Sequence, residues 1–244
     1  MPGPLSSLKV LDFSTLIPGP FASMMLADLG AEVLRIEAPH RPDLIRTMPP
    51  FAGEVSAWQA LLNRSKRSVA LDLKKPEAGE IIKRLVQTYD IVLEQFRPGV
   101  MDRLGLGYDT LSQINPGLIY CAITGYGQTG PYKDRAGHDL NFLALAGVMS
   151  HTGRKTEGPF PLGVQVADIG AGAFGAVSGI LAAVIHRLQT GEGQFVDISM
   201  FDGMVAWNSL ATSHYLVARQ NPEWENMLLN GGSFYDFYRS ELKS

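Results

Sequence analysis

The chain has 244 residues, 45% of them hydrophobic and 18% charged, with a formal net charge of −3. That is enough apolar material to bury the core of one large domain, or of one domain and part of a second. The charge balance argues against a nucleic-acid or anionic-membrane partner, so any basic site must be local. A lone cysteine, Cys121, rules out an internal disulfide and implies a reducing, cytoplasmic setting.

Residues 1–7 show no secretory signal and lead straight into a strand at 8–13. Pro18-Gly-Pro then opens a helix that Gly30 stops, and residues 31–37 form a second strand. Strand, helix and strand within about thirty residues make a βαβ unit, which requires a parallel sheet and a right-handed crossover. Pro39, Pro42, Pro49 and Pro50 mark residues 38–62 as an irregular surface excursion. Strands follow at 67–73, 91–94 and 118–124. A helix opening at Pro76, apolar at Ile81, Ile82, Leu85 and Val86, separates the first two, and a short helix over 108–114 precedes the third.

The last of these strands feeds a loop holding Gly125, Gly127, Gly130 and Gly137, which ends on His138 and Asp139 before an apolar helix. A loop over 152–161, a helix over about 169–188 closed by Gly191, a strand at 194–199 and a helix over 200–218 complete the pattern. The longest apolar run, about 171–185, is short for a membrane span and contains glycines, so a buried helix is expected and no membrane partner. The alternation predicts an α/β fold, a Rossmann-like parallel-sheet large domain over 1–200. Residues 201–225 read as a helical linker. Residues 226–244, with Phe234-Tyr-Asp-Phe-Tyr, read as an unfinished hairpin that starts a second, smaller domain.

Three features carry chemistry. Gly170-Ala-Gly172-Ala-Phe-Gly175 is a literal G-x-G-x-x-G, with Asp197 at the distance of a ribose-binding acid. However, Asp168 just before it would repel a pyrophosphate, and small residues at helical spacing read better as close helix packing. Several basic residues (Arg35, Arg64, Lys66, Arg67, Lys74, Arg97, Arg103 and Arg135) sit at strand ends or in the loops beyond them, where guanidinium groups suit phosphate. Finally, a titratable His138 beyond a strand's carboxyl end, paired with Asp168 at the start of a glycine-rich helix, could remove and return a proton on a carbon acid. Taken singly, each of these has a bland reading as a helix cap. Cys121 lies in a buried strand, where a thiol stays protonated.

Val10-Leu-Asp-Phe, Gly19-Pro, Gly30-Ala-Glu-Val, Asn63-Arg-Ser-Lys-Arg-Ser, Phe96-Arg-Pro-Gly, Gly125-Tyr-Gly-Gln-Thr-Gly-Pro and Thr190-Gly-Glu-Gly-Gln together resemble the class III CoA-transferase (CaiB/BaiF) family. That family includes formyl-CoA transferases and α-methylacyl-CoA racemases, and the likeness runs from Leu5 to about Tyr238. It implies an enzyme with Asp168 as the reacting carboxylate, and His138, oriented by its neighbour Asp139, as the position that separates the branches. Transferases often carry tyrosine there, and racemases carry Gly-His-Asp as in Gly137-His138-Asp139. The expected activity is therefore racemase-like α-proton exchange through an enolate. The alternatives are CoA transfer between carboxylic acids through an acyl-aspartate, or a silent chain that only binds CoA.

The resemblance implies no metal and no tightly bound cofactor, with coenzyme A entering as part of the substrate. The implied CoA contacts are Ile17 and Pro18, then Leu71, Asp72, Leu73 and Lys74, then Gln95, Phe96, Arg97 and Arg103, and finally Arg135, Ala136, Gly137 and His138. An Arg that some members carry after the second strand is Ala38 here. Family members pair as interlocked homodimers and run on well past the position of Ser244. The chain is accordingly expected to be a C-terminally truncated form that lacks a supporting glutamate and does not interlock.

Overall fold

The structure is a computed structural model that describes residues 2–240. In chain order it begins with β1 (Lys9–Asp12), α1 (Pro18–Asp28) and β2 (Glu32–Glu37). The excursion that follows is more ordered than its prolines imply: it holds a single 3-10 turn at Leu44–Thr47, a minimal hairpin of β3 (Phe51–Ala52) and β4 (Val55–Ser56), and α2 (Ala57–Leu62). Tertiary contact supplies that order, because Arg35 on β2 reaches out to Asp43 at 2.5 Å with both side chains buried. Next come β5 (Arg67–Ala70), α3 (Pro76–Val86), β6 (Ile91–Glu94), α4 (Val100–Arg103), α5 (Tyr108–Ile114) and β7 (Ile119–Thr124).

Proline at the first position of α3, Glu77 in its first turn and Lys83 and Arg84 in its last all agree with the helix dipole. Its buried face is Ala78, Ile82 and Val86, whereas Ile81, expected inside, is 42% exposed.

Beyond β7 lie α6 (Asp139–Leu145), a second minimal hairpin of β8 (Gly153–Arg154) and β9 (Gly158–Pro159), and the long apolar helix. That helix starts earlier than its apolar run: residues Ala167–Phe174 form a widened, π-helical stretch that continues into α7 (Gly175–Thr190). Gly191, at φ +81°, closes it by donating its N–H to the Arg187 carbonyl at 2.8 Å. Ala167–Thr190 is long and apolar enough to span a membrane, but it packs against α1, β7 and β10 (Phe195–Ser199). The expected helix over 200–218 is two, α8 (Met200–Trp207) and α9 (Ser209–Ala218). Asn208 breaks it by donating its amide to the Ala146 carbonyl at 3.1 Å while its oxygen meets His151 at 2.8 Å.

The main sheet has the order β10-β7-β6-β1-β2-β5, and every pairing is parallel. One face packs on α1 and α7 through Val10, Leu93, Cys121 and Ile123. The other packs on α3 and α5 through Leu11, Val92, Tyr120 and Ala122. The tail forms turns where a hairpin was expected, because Arg154 holds Glu225 at 2.8 Å and Asp236 at 3.2 Å and so folds it back on the β8–β9 hairpin. The part of that expectation over 241–244 lies outside the described residues.

Candidate active site

β1 and β6 are neighbours, yet the chain leaves them towards opposite edges of the sheet, so the crevice beyond their carboxyl ends is a topological switch point. The loop after β1 carries Ile17 and Pro18, and the loop after β6 carries Gln95, Phe96 and Arg97. The Gln95 side-chain oxygen spans the crevice and accepts the Gly19 N–H at 3.0 Å. Only glycine fits there, since a Cβ on residue 19 would lie 2.1 Å from the Ser14 Cβ. Beneath it, buried Asp12 accepts from the Ser23 hydroxyl at 2.5 Å, and Lys66 reaches Asp12 at 3.4 Å and the Pro20 carbonyl at 2.9 Å.

The glycine-rich loop after β7 wraps the Phe142 ring, which a Cβ on Gly125 or Gly137 would approach to 2.7 or 2.5 Å. His138 is the exposed N-cap of α6, and its N–H donates to the Asn141 side-chain oxygen at 2.9 Å. Asp139 follows in the first turn, with its carboxylate turned to a second helix. One oxygen accepts the N–H groups of Ala167 at 2.7 Å and Asp168 at 3.0 Å. One aspartate thus satisfies two of the free donors that open the π-helical stretch. Asp168 lies within that stretch, a distortion that is rare and frequent at functional sites. Burial first, and the Asp139 charge second, push the Asp168 carboxyl up to about 7. A half-buried carboxyl near neutrality can serve as a nucleophile or as a proton carrier.

Seven expected CoA residues share one cavity of about 220 Å³: Gln95, Phe96, Arg97, Arg135, Ala136, Gly137 and His138. Arg135 lies over the Tyr132 ring at 4.1 Å. Pro18 stands elsewhere, against the π-helical stretch, where a Cβ on Gly172 would come within 2.9 Å of its Cβ. Ile17 caps α1, and Leu71, Asp72, Leu73 and Lys74 follow β5. These six, Arg103, Asp139 and Asp168 are outside the wall of that cavity. His138 and Asp168 are linked through Asp139, one peptide bond on one side and one hydrogen bond on the other.

The expected convergence of basic groups is only partly met. Arg35, Arg64, Lys66 and Arg67 are each paired with a carboxylate (Asp43, Asp28, Asp12 and Glu32). Among the described residues Lys74, Arg97, Arg103 and Arg135 form no ion pair, and all four are exposed. The glycines of the G-x-G-x-x-G are packing positions, with Gly172 against Pro18 and Met200 and Gly170 against the Trp207 ring.

Three cavity residues went unread in the sequence. Thr124 and Lys133 line the same cavity. Glu94 lines an adjoining one of about 300 Å³ that shares Arg97 as a wall. Burial, followed by the charges of Asp102 and Asp197, lifts Glu94 to about 8 against the opposing pull of the Phe96 N–H. A charged residue closing the apolar run Ile91-Val-Leu was the available signal. The Cys121 thiol is fully buried and pushed up by that burial, which leaves it protonated.

A family profile described as CoA-transferase family III matches residues 5–241. The human succinyl-CoA:glutarate CoA-transferase is 40% identical over 218 residues, covering 89% of this chain and 50% of that protein. The human alpha-methylacyl-CoA racemase is 40% identical over 239 residues, covering 97% of this chain and 58% of that protein. A CAIB/BAIF family protein from Brucella suis, known by crystal structure, superposes with a TM-score of 0.87 at 38% identity, covering 92% of this chain and 60% of that one. The chain thus spans about half the length of the curated relatives it matches. The expectation of a racemase is not singled out, since relatives named as CoA-transferases match as well as those named as racemases.

Proposed function

Because the chain belongs to CoA-transferase family III, we propose that its site moves CoA between carboxylic acids, with Asp168 as the nucleophile. The observation that carries this reading is the half-buried carboxyl of Asp168, lifted to about 7 by burial on a backbone whose N–H is anchored to Asp139. An Asp168 oxygen attacks the thioester carbonyl carbon, the C–S bond breaks, and the CoA thiolate leaves a mixed anhydride. The thiolate then attacks the aspartyl carbonyl of that anhydride, which releases the donor acid and leaves CoA on Asp168. An acceptor carboxylate reverses both steps and departs as the new thioester. CoA is substrate throughout, and the exposed Arg97 and Arg135 suit its phosphates.

With a donor acyl-CoA and hydroxylamine, a hydroxamate on Asp168 should appear by mass spectrometry. Asp168→Asn should lower turnover by more than about 10³-fold. Undiminished turnover in that variant, or no adduct under turnover, would overturn the reading.

A second reading, α-proton exchange, is favoured by the imidazole of His138 beside Asp139. It predicts uptake of α-deuterium into a 2-methylacyl-CoA that His138→Ala abolishes and no hydroxamate at Asp168. Exchange that survives His138→Ala would exclude it.

A further inference from the structure

Among the described residues, three buried side-chain nitrogen or oxygen atoms have no hydrogen-bond partner: Arg35 Nε, Thr124 Oγ1 and Gln128 Nε2. The rest of the Arg35 guanidinium is engaged by Asp43 and Gln59, and Gln128 lines the Glu94 cavity. Among the described residues nothing bonds the Thr124 hydroxyl. Thr124 is the last residue of β7, only 6% exposed, and its neighbour across the ladder, Ser199, spends its own hydroxyl on the Asp202 N–H at 3.1 Å. A buried hydroxyl left unbonded opposes folding, and valine would fill the same volume with an equal liking for a strand. Thr124 is one of the residues that line the cavity shared by Gln95, Phe96, Arg97 and His138, with its hydroxyl buried beneath that wall.

We propose that the Thr124 hydroxyl hydrogen-bonds an amide of the pantetheine arm of the bound acyl-CoA, which makes Thr124 a binding residue for the arm. The inference rests on the acyl-CoA reading and deepens it. The arm is favoured over the phosphates for two reasons. Phe96, Pro98, Ile123, Phe142 and Met200 give this cavity an apolar wall suited to methylene groups, whereas the cations that suit phosphate are exposed. A volume of about 220 Å³ also suits a slender arm better than a whole nucleotide thioester. A hydroxyl can donate to the amide carbonyl or accept from its N–H, so either face of the arm can be read.

Titration calorimetry of the 244-residue chain with CoA, and with adenosine 3′,5′-bisphosphate as a probe lacking the arm, tests this. Thr124→Val should bind CoA roughly three- to tenfold more weakly, the loss of one neutral hydrogen bond. It should bind the bisphosphate unchanged and melt at a higher temperature, and Thr124→Ser should restore CoA affinity. Unchanged CoA affinity in Thr124→Val overturns the assignment. So does equal weakening towards both ligands, or a lower melting temperature, either of which would mean that the hydroxyl serves the fold. If the wild-type chain binds the bisphosphate but not CoA, or neither, the acyl-CoA reading itself falls. CoA binding by wild type and Thr124→Val alike sinks only the role of Thr124.

Discussion

Asp139 has two opposing effects on Asp168. Its carboxylate accepts the N–H groups of Ala167 and Asp168 and so shapes the turn that presents the Asp168 carboxyl. Its charge also disfavours the ionised form of that group. Asp139→Asn separates the two effects, since an amide oxygen can still accept both bonds while the charge is gone. Losing a nearby negative charge stabilises the Asp168 carboxylate, so its pKa falls. Burial is the larger cause and remains, so the group stays above an ordinary carboxyl. If ionised Asp168 is the reacting form, the acidic limb of kcat/KM against pH moves to lower pH in the variant, and a limb that stays put would show that the charge is not felt. The positions of His138 and Asp168 at helix starts were legible in the sequence because strand-loop-helix junctions are predictable. Glu94 was signalled only by its place at the end of an apolar run, which does not distinguish a buried glutamate from a wet one. Arg35 and Lys66 looked available because their partners, Asp43 and Asp12, are fixed only by tertiary contact.

The elements follow the sequence where local chemistry decides and depart from it where packing does. Prolines at the starts of α1 and α3, and apolar runs in β6 and β7, need only local rules. The break at Asn208 and the π-helical stretch do not, because each is held by a partner far along the chain, Ala146 in one case and Asp139 in the other. The glycines of that stretch are where packing dominates most. A Cβ on Gly172 would sit 2.9 Å from the Pro18 Cβ and 3.2 Å from the Met200 sulfur. Gly172→Ala gains about 1 kcal/mol of helix propensity but overpacks the junction of three elements, which costs about 1–3 kcal/mol. The balance, a net loss of up to about 2 kcal/mol, should lower the melting temperature by up to roughly 4–8 °C in a domain of this size. Gly79 in α3 is the control: a Cβ there meets nothing within 4 Å, so Gly79→Ala should raise stability by about 0.4–1 kcal/mol. Equal shifts in the two melting curves would refute the packing account.

At the scale of the molecule, the parallel sheet was predictable from the alternation of strands and helices, whereas its switch point follows from the strand order. What the surface covers was not. Trp207 (62% exposed), Leu216 (58%), Val217 (87%) and Phe237 (93%) leave α8, α9 and the tail with apolar side chains facing outwards. Charge offers a sharper global test. Two acids, Asp168 at about 7 and Glu94 at about 8, hold their protons more tightly in the folded chain than in an unfolded one. For such a group the folded state binds more protons, so its stabilising contribution is complete below the unfolded pKa and is lost as pH rises through the folded one. Glu37, whose pKa is lowered, acts with the opposite sign, but only in the acid range. Between about pH 5.5 and 8.5, stability should therefore fall as pH rises. Glu94→Gln keeps an oxygen for the Phe96 N–H, which Glu94 accepts at 2.6 Å, and removes one of the two titrations. Urea midpoints of the variant should decline less over that interval than those of the wild type, with the remaining slope set by Asp168. Parallel declines would mean that the Glu94 carboxyl is hydrated in solution and that its cavity is open to water.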